Sequence, residues 1–385
     1  MDAKTASRRR LETARESLVE LSHRIHAHPE LGWQEEKASA WVADALAAAG
    51  FAVQRGICDL PTALSARFGS GPLHIAFCAE YDCLPGIGHA CGHNIIAAAS
   101  VGAALALAQV ADEVGVTVSL LGTPAEEVGD APGKVLMLDR GAFDGVHAAM
   151  MVHPGPMDSV APSLIAAAAF DVFYTGKEAH ASAFPERGIN AADALVVAQT
   201  AIGLLRQHIR STDRIHGIVT HGGDAANVIP AHTSAHYMAR AKTLEQLEKL
   251  VPRVHRCFEA GAIATGCTVE IKGGGKSYAD MIHDTDLGEL YQKNAEALGR
   301  SFRTTSGSFS ASTDMANVSH RVPAIHPIIG INSFPASNHQ PEFAAHCVTA
   351  DADHAIFDGA LALAWAAIDA ATDAAVRNRL MSGGR

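Results

Sequence analysis

The chain has 385 residues, of which 48% are apolar, 18% charged and 5% aromatic, a mixture that excludes collagen, extended disorder and a small disulfide-stapled scaffold. The length accommodates two or three domains, each large enough to bury a core. Thirty Lys and Arg against 41 Asp and Glu leave a net charge of -11, so the totals supply no phosphate-seeking basic surface and argue against nucleic acid as a partner.

Arg8, Arg9 and Arg10 are followed by LETARESLVELSHRIH, which lacks the apolar block and small-residue cleavage site of a secretory signal. Residues 8–49 carry apolar positions at helical spacing, interrupted at His28-Pro29 and Gly32 and closed by Gly50, which predicts two amphipathic helices. TALSARF and LHIAFCAEYD read as neighbouring strands. The uncharged stretch 95–111 is too short to span a bilayer and reads as a buried helix, so no membrane partner is expected. VTVSLLGTP is a strand, 134–140 the core of a helix, and VHAAMMVHP one further strand. This alternation predicts an α/β fold with a mainly parallel sheet and helices on both faces.

Near Pro162 the pattern changes. AAAAFDVFYTG, NAADALVVAQTAIGLLRQHI, RIHGIVTHGG, AHTSAHYMARA, LEQLEKLVPRVHRCFEAGAIATG and CTVEIKGGG form a β-α-β-β-α-β series, the ferredoxin-like order. The predicted organisation is a catalytic domain in two parts, 1–164 and 276–385, interrupted by an inserted α/β domain at 165–275. Gly273, Gly274 and Gly275 read as the hinge.

The seven cysteines follow no regular spacing and point to a reducing, cytoplasmic compartment. The 21 histidines equal all the Phe, Tyr and Trp residues combined, an excess that directs attention to metals. Cys91 and His93 lie two apart around a glycine after the Glu80-Tyr81-Asp82 strand end. Alone, such a C-x-H reads as a buried cysteine beside a helix-capping histidine. The next strand, however, ends in Glu126-Glu127 and the third in His153-Pro154, so three strands bring Cys, His, Glu and His to the carboxyl edge, where open α/β sheets place their sites. Adjacent carboxylates beside a metal can divide the work, one ligating and the other moving a proton.

HACGHN, TPAEE, VHPG, GKEAHAS, NVIP, STDMANVS and NHQPEF resemble, in this order and over nearly the whole chain, the dinuclear metallo-amidohydrolase family. That family includes aminoacylases, indole-acetyl-amino-acid hydrolases, carboxypeptidases and aminobenzoyl-glutamate hydrolases. AEYD with HACGHN, where Asn94 replaces the commoner Asp, is similar to the subgroup of aminobenzoyl-glutamate hydrolases and dipeptidases acting before a basic residue. The resemblance implies that Cys91, His93, Glu127, His153 and His339 bind two divalent ions per chain, Zn or Mn first and Co or Ni as further candidates, with Cys91 the candidate bridge. It implies Glu126 as general base and His180 as an oxyanion donor reaching into the active site of a partner subunit, through a homodimer formed by the inserted domain acting as a lid. Asn227 and Arg240, expected on neighbouring strands, would hold the carboxylate of a small amide or dipeptide substrate.

Asp82 is expected to orient a ligand or a water, and His26 and His28 to pack or cap. Ser312, Thr313 and Asp314 are candidates for the pocket lining, and the role of Glu80 is left open. The expected activity is hydrolysis of N-acyl amino acids or dipeptides bearing a free carboxylate. The rivals are an amidase with Cys91 as nucleophile and a metal-containing binding protein without turnover.

Overall fold

The computed structural model describes residues 2–302 and 311–384. Helix α1 (Ala3–Ala27) starts where the Asp2 carboxylate accepts a hydrogen bond from the Thr5 amide. Its Leu11, Ala14, Leu18, Leu21 and Ile25 recur every three or four residues and form the buried face. His28 caps its end, and α2 (Glu36–Ala48) completes the two helices predicted for this region. Strand β1 (Ala52–Arg55), not predicted from the sequence, leads to β2 (Leu64–Phe68), β3 (Leu73–Ala79), helix α3 (His93–Ala108) and β4 (Val116–Gly122). A helix at Gly133–Asp139 precedes β5 (Ala148–Met150) and β6 (His153–Gly155). Strands β7 (Ala166–Thr175), β8 (Arg214–His221), β9 (His232–Ala241) and β10 (Thr268–Gly273) come next, then β11 (Ala324–Ile325) and β12 (Ile328–Gly330).

The central six-stranded sheet has the order β1-β2-β4-β3-β5-β11. From β4 to β11 all neighbours are parallel, while β1 and β2 add an antiparallel edge. The fold is therefore mixed α/β with a mostly parallel central sheet. Two expectations are corrected. β2 and β3 are not neighbours, because the β3-α3-β4 crossover sets β4 beside β3 and leaves β2 to pair on the far side of β4. The single strand expected across VHAAMMVHP is two: β5 joins the central sheet, whereas β6 pairs with β12.

β3 and β4 are buried on both faces, as their near-continuous apolar sequences require. On one face, α3 packs against α1 and the helix Ala350–Thr372. These helices approach closely at Gly102, where an added Cβ would stand 2.9 Å from Ala360 Cβ and 3.0 Å from Leu11 Cδ1. Ala350–Thr372 is long and apolar enough to cross a membrane, yet here it is mostly buried in this core. Cys78, Leu121, Met137, Ala149, Met151 and Met315 pack on the other face of the sheet.

Residues 166–273 form a second layer pair, an antiparallel sheet of order β10-β7-β9-β8 covered on one face by the helices Ala191–Leu205 and Leu244–Thr265. Phe170, Tyr174, Leu195, Tyr237, Leu250 and Phe258 belong to its separate core. Alternation along β9 puts Tyr237 and Ala239 in that core and leaves His236, Met238 and Arg240 on the opposite face. β8 is an edge strand whose Ile218 and Val219 are 65% and 45% exposed.

Candidate metal centre and substrate cavity

The chemistry collects where β3 and β4 end. After β3 come Glu80, Tyr81 and Asp82, all buried. Gly92, between Cys91 and His93, has φ +80°, and a Cβ there would meet Pro154 Cγ at 2.4 Å, so only glycine permits this turn into α3. After β4, Ala125 adopts φ +54° with its amide held by the buried Glu35 carboxylate at 2.7 Å, and the chain then presents Glu126 and Glu127. His153 opens β6. His339, at φ +68°, is anchored by its amide, which donates to the Ala90 carbonyl at 2.8 Å.

The structure brings the five sequence-predicted metal ligands together. Cys91 Sγ lies 3.4 Å from His153 Nε2, and His339 Nε2 lies 3.4 Å from Glu127 Oε1. Two groups of mutually close donor atoms result, Cys91 with His93 and His153, and Cys91 with Glu127 and His339. Cys91 alone belongs to both. Ligands bound at roughly 2.0–2.3 Å to one tetrahedral ion stand roughly 3.3–3.6 Å apart, which these pairs match. His93 Nε2 and Glu127 Oε1 are buried without a hydrogen-bond partner, an arrangement that is costly unless something else engages them. The donor set of thiolate, imidazole and carboxylate thus fits two divalent cations.

Hydrogen bonds aim these donors. Asp82 Oδ1 engages His93 Nδ1 at 2.8 Å, turning Nε2 inward, and Asp82 Oδ2 accepts the Glu127 amide at 2.9 Å. The Pro154 carbonyl engages His153 Nδ1 at 2.8 Å and turns its Nε2 toward Cys91. Burial lowers the pKa of His153 to about 4, which favours the neutral, metal-binding form. Burial opposes ionisation of Glu127, yet the neighbouring His339 and His93 imidazoles prevail and hold it below its usual range. Glu126 is shifted the other way: burial and the carboxylates of Glu80, Glu127 and Asp314 push its pKa well up. Its Oε2 lies 3.8 Å from His93 Nε2.

Behind these groups lies a fully buried lysine that no sequence reading singled out. Lys134 donates to Glu80 Oε1 at 2.6 Å and to Asp314 Oδ1, while its amide donates to Asp314 Oδ2 at 2.8 Å. Removing one partner from a buried ion pair typically costs about 3–5 kcal/mol. Ser312 and Thr313 line the cavity, whereas Asp314 turns inward to Lys134. Tyr278 and His326 also line it and were likewise missed. Tyr278 donates its hydroxyl to the Glu126 carbonyl at 2.7 Å, and His326 packs beside the His153 ring with centroids 5.4 Å apart. His326 follows the short apolar strand β11, so the strand-end logic that found His153 could have found it too.

The cavity has a volume of 810 Å³, enough for a small peptide, and runs from Cys91, Glu126, Glu127, His153 and His339 to the exposed face of the β7–β10 sheet. Arg240 points into it, donating to Ser312 Oγ at 3.0 Å and pairing with no carboxylate among the described residues. His180 and Asn227 do not line this cavity. They are exposed and adjacent to each other, with the Ala181 amide donating to the Asn227 carbonyl at 3.0 Å. Asn227 precedes the start of β9 and Arg240 lies near its far end, so the expected side-by-side placement of these two is absent. His26 and His28 do pack and cap, His26 Nε2 on the Ala344 carbonyl and His28 at the end of α1.

Comparison with known proteins agrees with this geometry. The chain is 38% identical over 378 residues to the Xaa-Arg dipeptidase of Mus musculus, covering 94% of this chain and 87% of that protein. It is 32% identical over 283 residues to a p-aminobenzoyl-glutamate hydrolase chain of Escherichia coli, covering 68% and 58%. Among solved structures, a Bacillus subtilis protein described as a dinuclear metal binding peptidase superposes with a TM-score of 0.70 at 22% identity, covering 93% of this chain and 98% of that one. The profile of the peptidase family M20/M25/M40 matches residues 76–354. The chain is a hydrolase that belongs to this metallopeptidase family.

Proposed function

We propose that the protein is a dinuclear metal-dependent dipeptidase that hydrolyses the amide bond before a C-terminal amino acid with a free carboxylate. The observation that carries this reading is the pair of donor groups sharing Cys91, with Glu126 beside them and, across one cavity, the guanidinium of Arg240, which meets no carboxylate among the described residues. Cys91, His93 and His153 would hold one cation, and Cys91, Glu127 and His339 the other. When bound, the cations supply positive charge that polarises the scissile carbonyl and makes a water more acidic. Glu126 takes the proton of the attacking water on its carboxylate and returns it to the leaving nitrogen, a role suited to a carboxylate that lines the cavity beside both donor groups. Arg240 grips the substrate carboxylate. Asp130, which has no ion-pair partner among the described residues, lines the same cavity, and with the mouse relative it favours a basic C-terminal residue over a neutral one.

In this reading 1–164 and 276–385 form the catalytic domain, and 165–275 a lid through which two copies associate. The edge strand β8, with exposed Ile218 and Val219, offers the pairing surface. His180 and Asn227, which lie outside their own chain's cavity, would complete that of the second copy, His180 donating to the oxyanion. The rival with Cys91 as nucleophile is disfavoured because the buried Cys91 Sγ is the donor common to both ligand groups, a position that engages the sulfur with cations.

The deciding experiment measures turnover of Xaa-Arg, Xaa-Lys, neutral dipeptides, N-acyl amino acids and aminobenzoyl-glutamate before and after chelation, for wild type and Glu126→Gln. The reading expects turnover to require metal, and Glu126→Gln to keep its metal while losing about 10²–10⁴-fold in kcat. Chelator-resistant activity abolished by alkylation of Cys91 would overturn it.

A further inference from the structure

Glu80 lies at the end of β3, is fully buried and divides its two oxygens between different surroundings. Oε1 accepts the hydrogen bond from Lys134, whose ammonium is itself completely enclosed and also reaches Asp314. Oε2 has no hydrogen-bond partner. It lies 3.5 Å from His93 Nε2, a second buried atom without one. Glu80, His93 and Glu126 form a third group of close donors, sharing His93 with the Cys91 and His153 group. Leaving a buried carboxylate oxygen without a donor is expensive, and a separation of 3.5 Å falls within the roughly 3.3–3.6 Å expected for two ligands of one tetrahedral ion.

Resting on the dinuclear reading above, we propose that Glu80 is a further metal ligand, its Oε2 joining His93 on one cation, and that Lys134 is the positioning residue that holds Glu80 in this orientation. By clamping Oε1, Lys134 fixes the carboxylate rotation that turns Oε2 toward His93. The two cations are then unequal. The one at His93 would gain the Glu80 carboxylate beside His93, whereas the one at Glu127 and His339 would keep Cys91, Glu127 and His339 as its donors.

The test titrates the metal-stripped protein with Zn²⁺ alone by calorimetry, checks metal content after dialysis, and records the visible spectrum with Co²⁺. Wild type is expected to take two ions with separable affinities. Glu80→Gln, nearly isosteric, is expected to weaken the tighter site by about 10–100-fold, leave the other unchanged and alter the Co²⁺ spectrum. Glu80→Asp, which keeps the charge but withdraws the carboxylate, serves if the Gln variant does not fold and should weaken the same site. Lys134→Met should weaken that site alone, and adding it to Glu80→Gln should cost no further affinity, since both act through one carboxylate. Two unaltered affinities and an unaltered spectrum in the Glu80 variants would overturn the ligand assignment. Additive losses, or loss at both sites in Lys134→Met, would overturn the positioning role. A wild-type protein that binds no Zn²⁺ would instead sink the dinuclear reading itself.

Discussion

The two sheets meet at one cavity but prepare their side chains differently. At the carboxyl edge of the central sheet, His93, Glu126, Asp82 and Glu80 are buried, cross-braced by hydrogen bonds and set on strand ends and a helix start. On the β7–β10 sheet, Arg240 is half-buried and contacts Ser312, His216 and Met238 but no carboxylate among the described residues, while His180 and Asn227 sit on exposed loops. Groups that move protons need fixed geometry and a dry environment, which a core supplies. Groups that recognise a substrate end gain from standing on a separate layer that can approach once the substrate is in place.

Mixed dimers probe the contrast most strongly. Glu126→Gln and His180→Ala homodimers are each expected to lose about 10²–10³-fold or more in kcat. Equal mixing should restore about a quarter of wild-type activity, because half the dimers carry one intact composite site. Confirmed heterodimers without recovery would show that each cavity works with residues of its own chain. Arg240→Gln is expected to act more mildly, raising KM about 10–100-fold for substrates with a free carboxylate and hardly at all for their amides. Equal losses on both substrate types would place Arg240 in support of the fold instead.

The smallest expected effect tests the buried side. Glu35, whose pKa is raised to about 7 by burial and by Asp82, binds a proton in the folded chain that the unfolded chain releases near 4.5. The folded state therefore holds more protons between these values, and stability falls as pH rises through that window. Glu35→Gln should flatten the corresponding decline in Tm between about pH 5 and 7.5. An unchanged decline would assign it to other groups.

The convergence of Cys91, His93, Glu127 and His153 was legible because strands deliver their ends to one edge, so chain order predicted a meeting point, whereas His339 lies in a turn away from any strand end and was implied only by the resemblance. Lys134 was not legible. A lone lysine at a helix start reads as solvated, and its partners Glu80 and Asp314 lie 54 and 180 positions away. The position of β4 between β2 and β3 was hidden for a related reason: local pattern predicts that strands exist, while the crossover decides who pairs. The βαββαβ series was plain from its periodicities, yet nothing local indicated that Asn227 would fall in the loop before β9, beside His180 and away from Arg240.

Gly102 sits nine residues along α3 from His93, about 13 Å at the helical rise. The missing methyl there acts as a shim removed between three rods. Restoring it by Gly102→Ala would force the rods apart by several tenths of an ångström, and a stiff helix carries such an error to its tip. The imidazole at that tip would be displaced although every residue around it stayed the same. The tolerance of the metal-facing end is in this sense machined at a distant contact, where one hydrogen atom takes the place of a side chain.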